Sequence, residues 1–119
     1  MAKITAAQVL SRVDSTVPNH FTPQEKLRWL GQAEGLVRRE IFGERQELPA
    51  LQETSPLAAE PPYDSLYERY VEAQIFYAGD EMDRYNNAAA LWNVTYLAYK
   101  DYVNRNGGGN SSVSALKLC

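Results

Sequence analysis

Cysteine and histidine, the residues on which much protein chemistry depends, occur once each in this 119-residue chain. The single cysteine is Cys119, the last residue. One thiol excludes an internal disulfide framework and a cysteine-based zinc site, and its position offers no fixed surroundings to activate it. His20 is the only histidine, so neither a histidine metal cluster nor a Ser-His-Asp arrangement has residues to spare. Lying between Asn19 and Phe21 ahead of a helix, it reads as a capping or surface residue. No apolar run approaches the roughly 20 residues that a membrane-spanning helix needs. The opening Met1-Ala2-Lys3-Ile4-Thr5 lacks the apolar segment of a secretory leader, so a protein made and kept in the cytoplasm is expected.

A basic stripe is missing too. Net charge is −3. Residues 1–43 carry six Lys/Arg against four acids, residues 44–62 one against four, and residues 63–106 four against seven. Nucleic-acid binding through phosphate contacts needs the opposite balance, whereas a mildly acidic surface lets DNA pass without being held. The densest acidic cluster, Asp80, Glu81 and Asp83, lacks calcium-loop spacing and is explained by the preference of acids for a helix start. Glu68 and Glu72, one helical turn apart, form no recognisable acid–base constellation either. Gly107-Gly108-Gly109 follows a helix rather than opening one, the wrong order for a phosphate cradle. The triplets Asn93-Val94-Thr95 and Asn110-Ser111-Ser112 match the glycosylation pattern, which carries no weight without secretion. No metal, no cofactor and no catalytic residue is expected.

What the chain does have is helix signals. Hydrophobic residues make up 45%, enough for one modest core. Thr5-Ala6-Ala7-Gln8 is a capping box, followed by Val9, Leu10 and Val13 on one stripe and stopped by Pro18. Thr22-Pro23-Gln24-Glu25 is a second box with proline at the first helical position. Leu27, Leu30, Ala33, Val37 and Ile41 recur behind it at spacings of three or four, Trp29 and Leu36 widen the face, and Gly43 is a natural C-terminal cap. A third helix starts near Asp64 and runs through Leu66, Tyr70, Ala73 and Tyr77. A second stripe, Tyr67, Val71, Gln74, Ala78, Met82 and Tyr85, crosses Gly79, where the helix either kinks or stops and restarts at Asp80. Asn86-Asn87 is expected to cap a fourth helix with Ala88, Leu91, Trp92, Thr95, Tyr99 and Tyr102 on one face.

Two segments break the pattern. Residues 44–62 scatter Pro49, Pro56, Pro61 and Pro62 through Glu, Gln, Ser and Ala, a composition that holds no long helix. They read as an irregular connection crossing the surface, long enough to have a role of its own. After Arg105, Asn106-Gly107-Gly108-Gly109-Asn110-Ser111-Ser112 has the composition of a flexible linker. Val113-Ser114-Ala115-Leu116-Lys117-Leu118-Cys119 then hints at a strand too short to stand alone, which would borrow an edge or groove from a neighbour. The expected fold is therefore all-α: a bundle of about four helices over residues 1–105, a long proline-rich connection, and a flexible C-terminal arm at 106–119.

All eight tyrosines fall between Tyr63 and Tyr102, with Phe76 and Trp92 among them. A small core cannot hold them all. Tyrosine is enriched at protein interfaces, where a rigid amphipathic ring covers area at low entropic cost, so they are expected to divide between core and interface. A stacking platform for single-stranded nucleic acid would need interleaved Lys/Arg that this stretch lacks.

The run Ile4-Thr5-Ala6-Ala7-Gln8-Val9-Leu10-Ser11-Arg12-Val13-Asp14, followed by a capped helix carrying Ala33-Glu34-Gly35-Leu36-Val37, resembles the opening of tailed-phage head–tail connector (adaptor) proteins. Pro62-Tyr63-Asp64-Ser65-Leu66-Tyr67 and Asp83-Arg84-Tyr85-Asn86-Asn87 also look like small proteins of phage structural-gene clusters. The likeness spans most of residues 4–105 and consists of helix order, length and scattered positions. It implies a virion protein of the neck, made in the host cytoplasm, that forms a ring of copies under the portal protein. Such a ring continues the DNA channel without sequence-specific binding and presents a surface to the next neck or tail protein. The resemblance makes residues 106–119 a portal-docking arm with Val113, Leu116 and Leu118 as anchors. It gives the subunit interface to Tyr67, Tyr70, Tyr77, Tyr85, Tyr96 and Tyr99. The length of the 44–62 connection departs from the simplest members. Alternatives are another neck or tail-assembly protein, a stopper or a chaperone, and a small helical regulator that binds one partner; an enzyme is the weakest.

Overall fold

The first helix begins where two side chains stand in for missing backbone partners. The Thr5 hydroxyl accepts from Gln8 N at 3.4 Å and Gln8 Oε1 accepts from Thr5 N at 2.9 Å, the reciprocal capping box expected from the sequence. A computed structural model describes residues 3–106 of the chain. The linker, the strand-like tail with Val113, Leu116 and Leu118, and Cys119 lie outside the described residues.

Helix α1 spans Ala6–Thr16 and buries Ala6, Val9, Leu10 and Val13. Helix α2, Pro23–Leu36, opens on the second box: Thr22 accepts from Glu25 N at 3.2 Å, and Glu25 accepts from Thr22 N at 3.3 Å. It runs into one wide π-type turn, Val37–Ile41, closed by Phe42 N donating to Val37 O at 3.2 Å. Gly43 then takes φ 71° and turns the chain away, the cap conformation that only glycine adopts at little cost.

Helix α3, Ser65–Ala78, and helix α4, Met82–Arg105, are separate. Between them Gly79 and Asp80 form a tight turn, with Asp80 at φ 61° and Glu81 N donating back to Phe76 O at 2.9 Å. Of the two expectations for Gly79, the stop and restart is the one observed. The expected cap at Asn86-Asn87 is corrected: both residues lie inside α4 and face solvent. Once the turn at Gly79 has nucleated α4, extending it past two exposed asparagines costs only a few tenths of a kcal/mol each, about 0.5.

Helix α3 is the central element, packed most extensively along α4 and also against α2 and α1. One contiguous core joins Val9 and Val13 of α1, Leu30 of α2, and Tyr67 and Val71 of α3 to Tyr99 of α4. Each fully buried large side chain of this kind contributes about 1.5–3 kcal/mol.

The connection does more than cross the surface. Its carbonyls at Ser55 and Glu53 accept from Ala6 N and Ala7 N at 3.0 and 2.9 Å, satisfying free donors at the start of α1. Leu57 N donates to Ile4 O at 2.9 Å, beside an isolated antiparallel bridge between Thr5 and Pro56. Leu57 and Ala59 are completely buried in the core. The expectation of a surface crossing is thus corrected at Leu57 and Ala59, which enter the core, while Glu53, Thr54 and Pro56 stay exposed on the surface.

Candidate functional site

The tyrosines sort by what their rings touch. Tyr67 and Tyr99 are fully buried. The Tyr67 hydroxyl donates to Glu34 Oε1 at 2.5 Å and accepts from Ala59 N at 2.9 Å. The second Glu34 oxygen accepts from Arg38 Nε and from Ala58 N, both at 3.0 Å, and Arg38 reaches on to Glu44 at 3.1 Å. The Tyr99 hydroxyl donates to Glu60 at 3.0 Å. Burial first, and then the neighbouring carboxylate, push both phenols far above their ordinary value, so they stay neutral donors. The interface assignment of Tyr67 and Tyr99 is corrected: their rings are core and their hydroxyls are committed to the connection.

The other four interface candidates stay nearer the surface. Tyr70 and Tyr96 flank Trp92, with ring centroids 5.1 and 5.0 Å away, and the Tyr70 hydroxyl donates to Gln32 at 2.9 Å. Tyr77 and Tyr85 pair at 5.3 Å beside the α3–α4 turn, with Tyr77 largely exposed. Tyr63 and Tyr102 pack as a tilted pair at 5.0 Å next to Tyr99.

A row that the sequence reading did not single out lies on α4. Leu91, Val94 and Leu97 are 41%, 66% and 59% exposed, and Ala90 and Ala98 beside them are exposed as well. These positions fall on one helical stripe, opposite the face that carries Ala88, Tyr99 and Val103 into the core. The placement of Leu91 on the inward face is corrected, since α4 carries apolar residues on both sides. The visible signal was that Val94 and Leu97 are out of phase with the inward residues.

Two of the open grooves among the described residues lie beside these helices. One, about 580 Å³, runs along the outer side of α2, floored by Gly31 and Gly35 and walled by Leu27, Leu48 and Leu51. The other, about 560 Å³, lies between the end of α1, α3 and α4 and holds Arg69, Glu72, Glu81 and Arg84. Glu72 is buried, which raises its pKa above the ordinary value even though Arg69 at 3.2 Å pulls the other way.

Among the described residues no group of three or more His, Cys, Asp or Glu side chains is placed to share a metal ion, the Asp80, Glu81 and Asp83 cluster included. No described helix is long and apolar enough to cross a membrane. His20 is exposed and stacks on Phe21 at 5.9 Å. Both grooves mix charged side chains with aliphatic ones, and the α1–α3–α4 groove also holds Phe76. No protein-family model, curated protein or solved structure matches the chain.

Proposed function

We propose that this chain is a structural assembly protein, a head–tail connector that forms a ring of copies under a portal protein and continues the DNA channel toward the tail. The observation that carries the reading is the unpartnered apolar row Leu91, Val94 and Leu97 on α4. Most isolated apolar surface residues need no explanation, but several aligned on one helical stripe mark a contact face. The half-buried aromatic cluster of Tyr70, Trp92 and Tyr96, together with Tyr77 and Tyr85, supplies further ring area at the edges of that helix pair.

The resemblance in helix order to phage connector proteins supplies the identity of the assembly. In this reading the protein works by binding rather than by catalysis, within the virion neck. Its partners are neighbouring copies, the portal protein, the next neck or tail protein, and DNA that passes without sequence-specific contact. Residues 106–119 form the docking arm, with Val113, Leu116 and Leu118 as its apolar anchors. The net acidic surface, at −3 overall, supports passage of DNA through the ring because like charge discourages sticking.

The test is the native mass of the purified chain, alone and mixed with the portal protein of the same gene cluster. Binding in a defined multiple of subunits is expected. A chain that ignores the portal under all conditions would remove the connector reading and put a small partner-binding regulator in its place.

A further inference from the structure

The exposed row on α4 continues into polar residues at both ends. Asp83 and Asn87 lie on the same helical stripe before it, and Asp101 and Arg105 after it. All four are exposed, as are Ala90 and Ala98 within the row, so the stripe faces outward over nearly the whole helix. It is symmetric about Val94. Three and four positions away in either direction stand a leucine and an alanine, Leu91 and Ala90 on one side, Leu97 and Ala98 on the other. Seven positions away stand Asn87 and Asp101, and eleven away Asp83 and Arg105. Asp83 makes no ion pair among the described residues. Arg105 meets Asp101 at 3.4 Å with both largely exposed, which leaves guanidinium N–H donors for a second carboxylate.

We infer that the α4 stripe is covered by the α4 stripe of a second copy, running antiparallel, with the two-fold axis at Val94. The inference rests on the assembly reading only in taking the row as a contact face, and it names what covers that face. An antiparallel pair centred on Val94 sets Asp83 of each copy level with Arg105 of the other, an opposite-charge pair at both ends. It sets Asn87 level with Asp101, an amide that donates to a carboxylate. Between them Leu91 lies level with Leu97, and Ala90 with Ala98, whose small side chains let the two helices approach closely. Charge excludes the parallel pair, which sets Asp83, Asp101 and Arg105 each against its own copy. It also fixes the register. Sliding one helix by a turn brings Asp101 against Leu91 or Asp83 against Asp101, and sliding by two turns brings Asp101 or Asn87 onto Val94. Only the register centred on Val94 keeps apolar residues on apolar ones and acids on donors. The contact is isologous and closes at two copies, so it is the assembly of the free chain, and a ring needs a further, different contact.

Sedimentation of the full chain with charge-swapped variants tests the pairing. The contact is small, so a wild-type dimer is expected at about 0.1–1 mM. Asp83→Arg alone puts like charges at both ends of the dimer, as does Arg105→Asp alone, and each should weaken it about tenfold. The double variant Asp83→Arg with Arg105→Asp should restore it, because each end again pairs an acid with a base. Helix content should be unchanged throughout, since both residues are exposed. Cross-linking reads the register directly. In a Cys119→Ser background, Ala90→Cys chains mixed with Ala98→Cys chains should join on oxidation, and neither should join to itself. A wild-type chain that stays monomeric at about 1 mM would overturn the pairing. So would a double variant as weak as the single ones, or Ala90→Cys chains that cross-link to each other. Portal binding is read separately: a chain that pairs in this way but ignores the portal keeps the contact and loses the connector reading, and one that joins the portal without pairing does the reverse.

Discussion

The Tyr67 hydroxyl donates to Glu34 Oε1 over 2.5 Å, joining α3 to a carboxylate on α2 that is 3% exposed. The same two side chains also take the backbone N–H groups of Ala58 and Ala59. One tyrosine and one glutamate therefore anchor the irregular connection to the helical core. A buried carboxylate is tolerable only when its oxygens are occupied, and here both are.

Tyr67→Phe keeps the ring and removes only the hydroxyl. Glu34 loses its shortest hydrogen bond and the Ala59 N–H loses its acceptor, both away from water. Stability should fall by about 2–3 kcal/mol, read as a lower urea midpoint with an unchanged slope. A loss below about 0.5 kcal/mol would mean that the network is replaceable by solvent.

Leu57 and Val94 are both single aliphatic residues, yet they should behave oppositely. Leu57→Ala opens a cavity where the connection enters the core and should cost about 2–5 kcal/mol. Val94→Ser, on the outer face of α4, should change monomer stability by less than about 0.5 kcal/mol. Thermal melts of the two variants check the contrast, and equal losses would contradict the burial of one and the exposure of the other.

Gly43 and Gly35 differ in backbone conformation, so alanine should have opposite signs at the two positions. At Gly43, φ is 71°, and forcing a Cβ into the left-handed region costs about 1–2 kcal/mol. At Gly35 the Cβ would enter open space, and alanine should stabilise the helix by about 0.5–1 kcal/mol. Chemical denaturation of the two variants side by side distinguishes the positions.

Glu72 should leave a signature in the pH dependence of stability. Burial raises its folded pKa above the ordinary 4.5, with Arg69 opposing. In the window from 4.5 up to the raised value, the folded state binds more protons than the unfolded one. Its contribution therefore falls as pH rises through that window and recovers on acidification. Asp14 runs the other way. Burial pushes its carboxyl up, but hydrogen bonds from Lys26 and Asn19 outweigh this and hold it below 3.8. Its contribution is present above 3.8 and is lost as pH falls through the depressed value. Glu72→Gln should be more stable than wild type at neutral pH by less than about 1 kcal/mol, since Arg69 is part-exposed and the groove is open to water. That advantage should close on acidification. Urea midpoints for both proteins across the acid range measure it, and a constant difference would remove Glu72 as the cause.

Local chemistry made much of the fold legible beforehand. The boxes at Thr5/Gln8 and Thr22/Glu25, the stop before Pro18 and the cap at Gly43 each depend on residues within a few positions of one another, so the chain states them directly. The irregular character of residues 44–62 was readable from proline content for the same reason. Asn86-Asn87 shows the limit of such signals: a good cap residue caps only where a helix actually begins, and the turn at Gly79 had already started α4.

Of the candidate interface, sequence alone determined that more aromatic and apolar side chains exist than one small core can take. Only the tertiary structure decided which of them remain outside. Tyr67 and Tyr99 went inward because the carboxylates of Glu34 and Glu60 and backbone groups of the connection meet their hydroxyls, partners 8 to 41 positions away in the chain. Leu91, Val94 and Leu97 stayed outward because α4 is apolar on two faces and α3 can cover only one. Periodicity marks a face as apolar, but which of two apolar faces is buried depends on contacts between distant elements, and those exist only once the helices have packed.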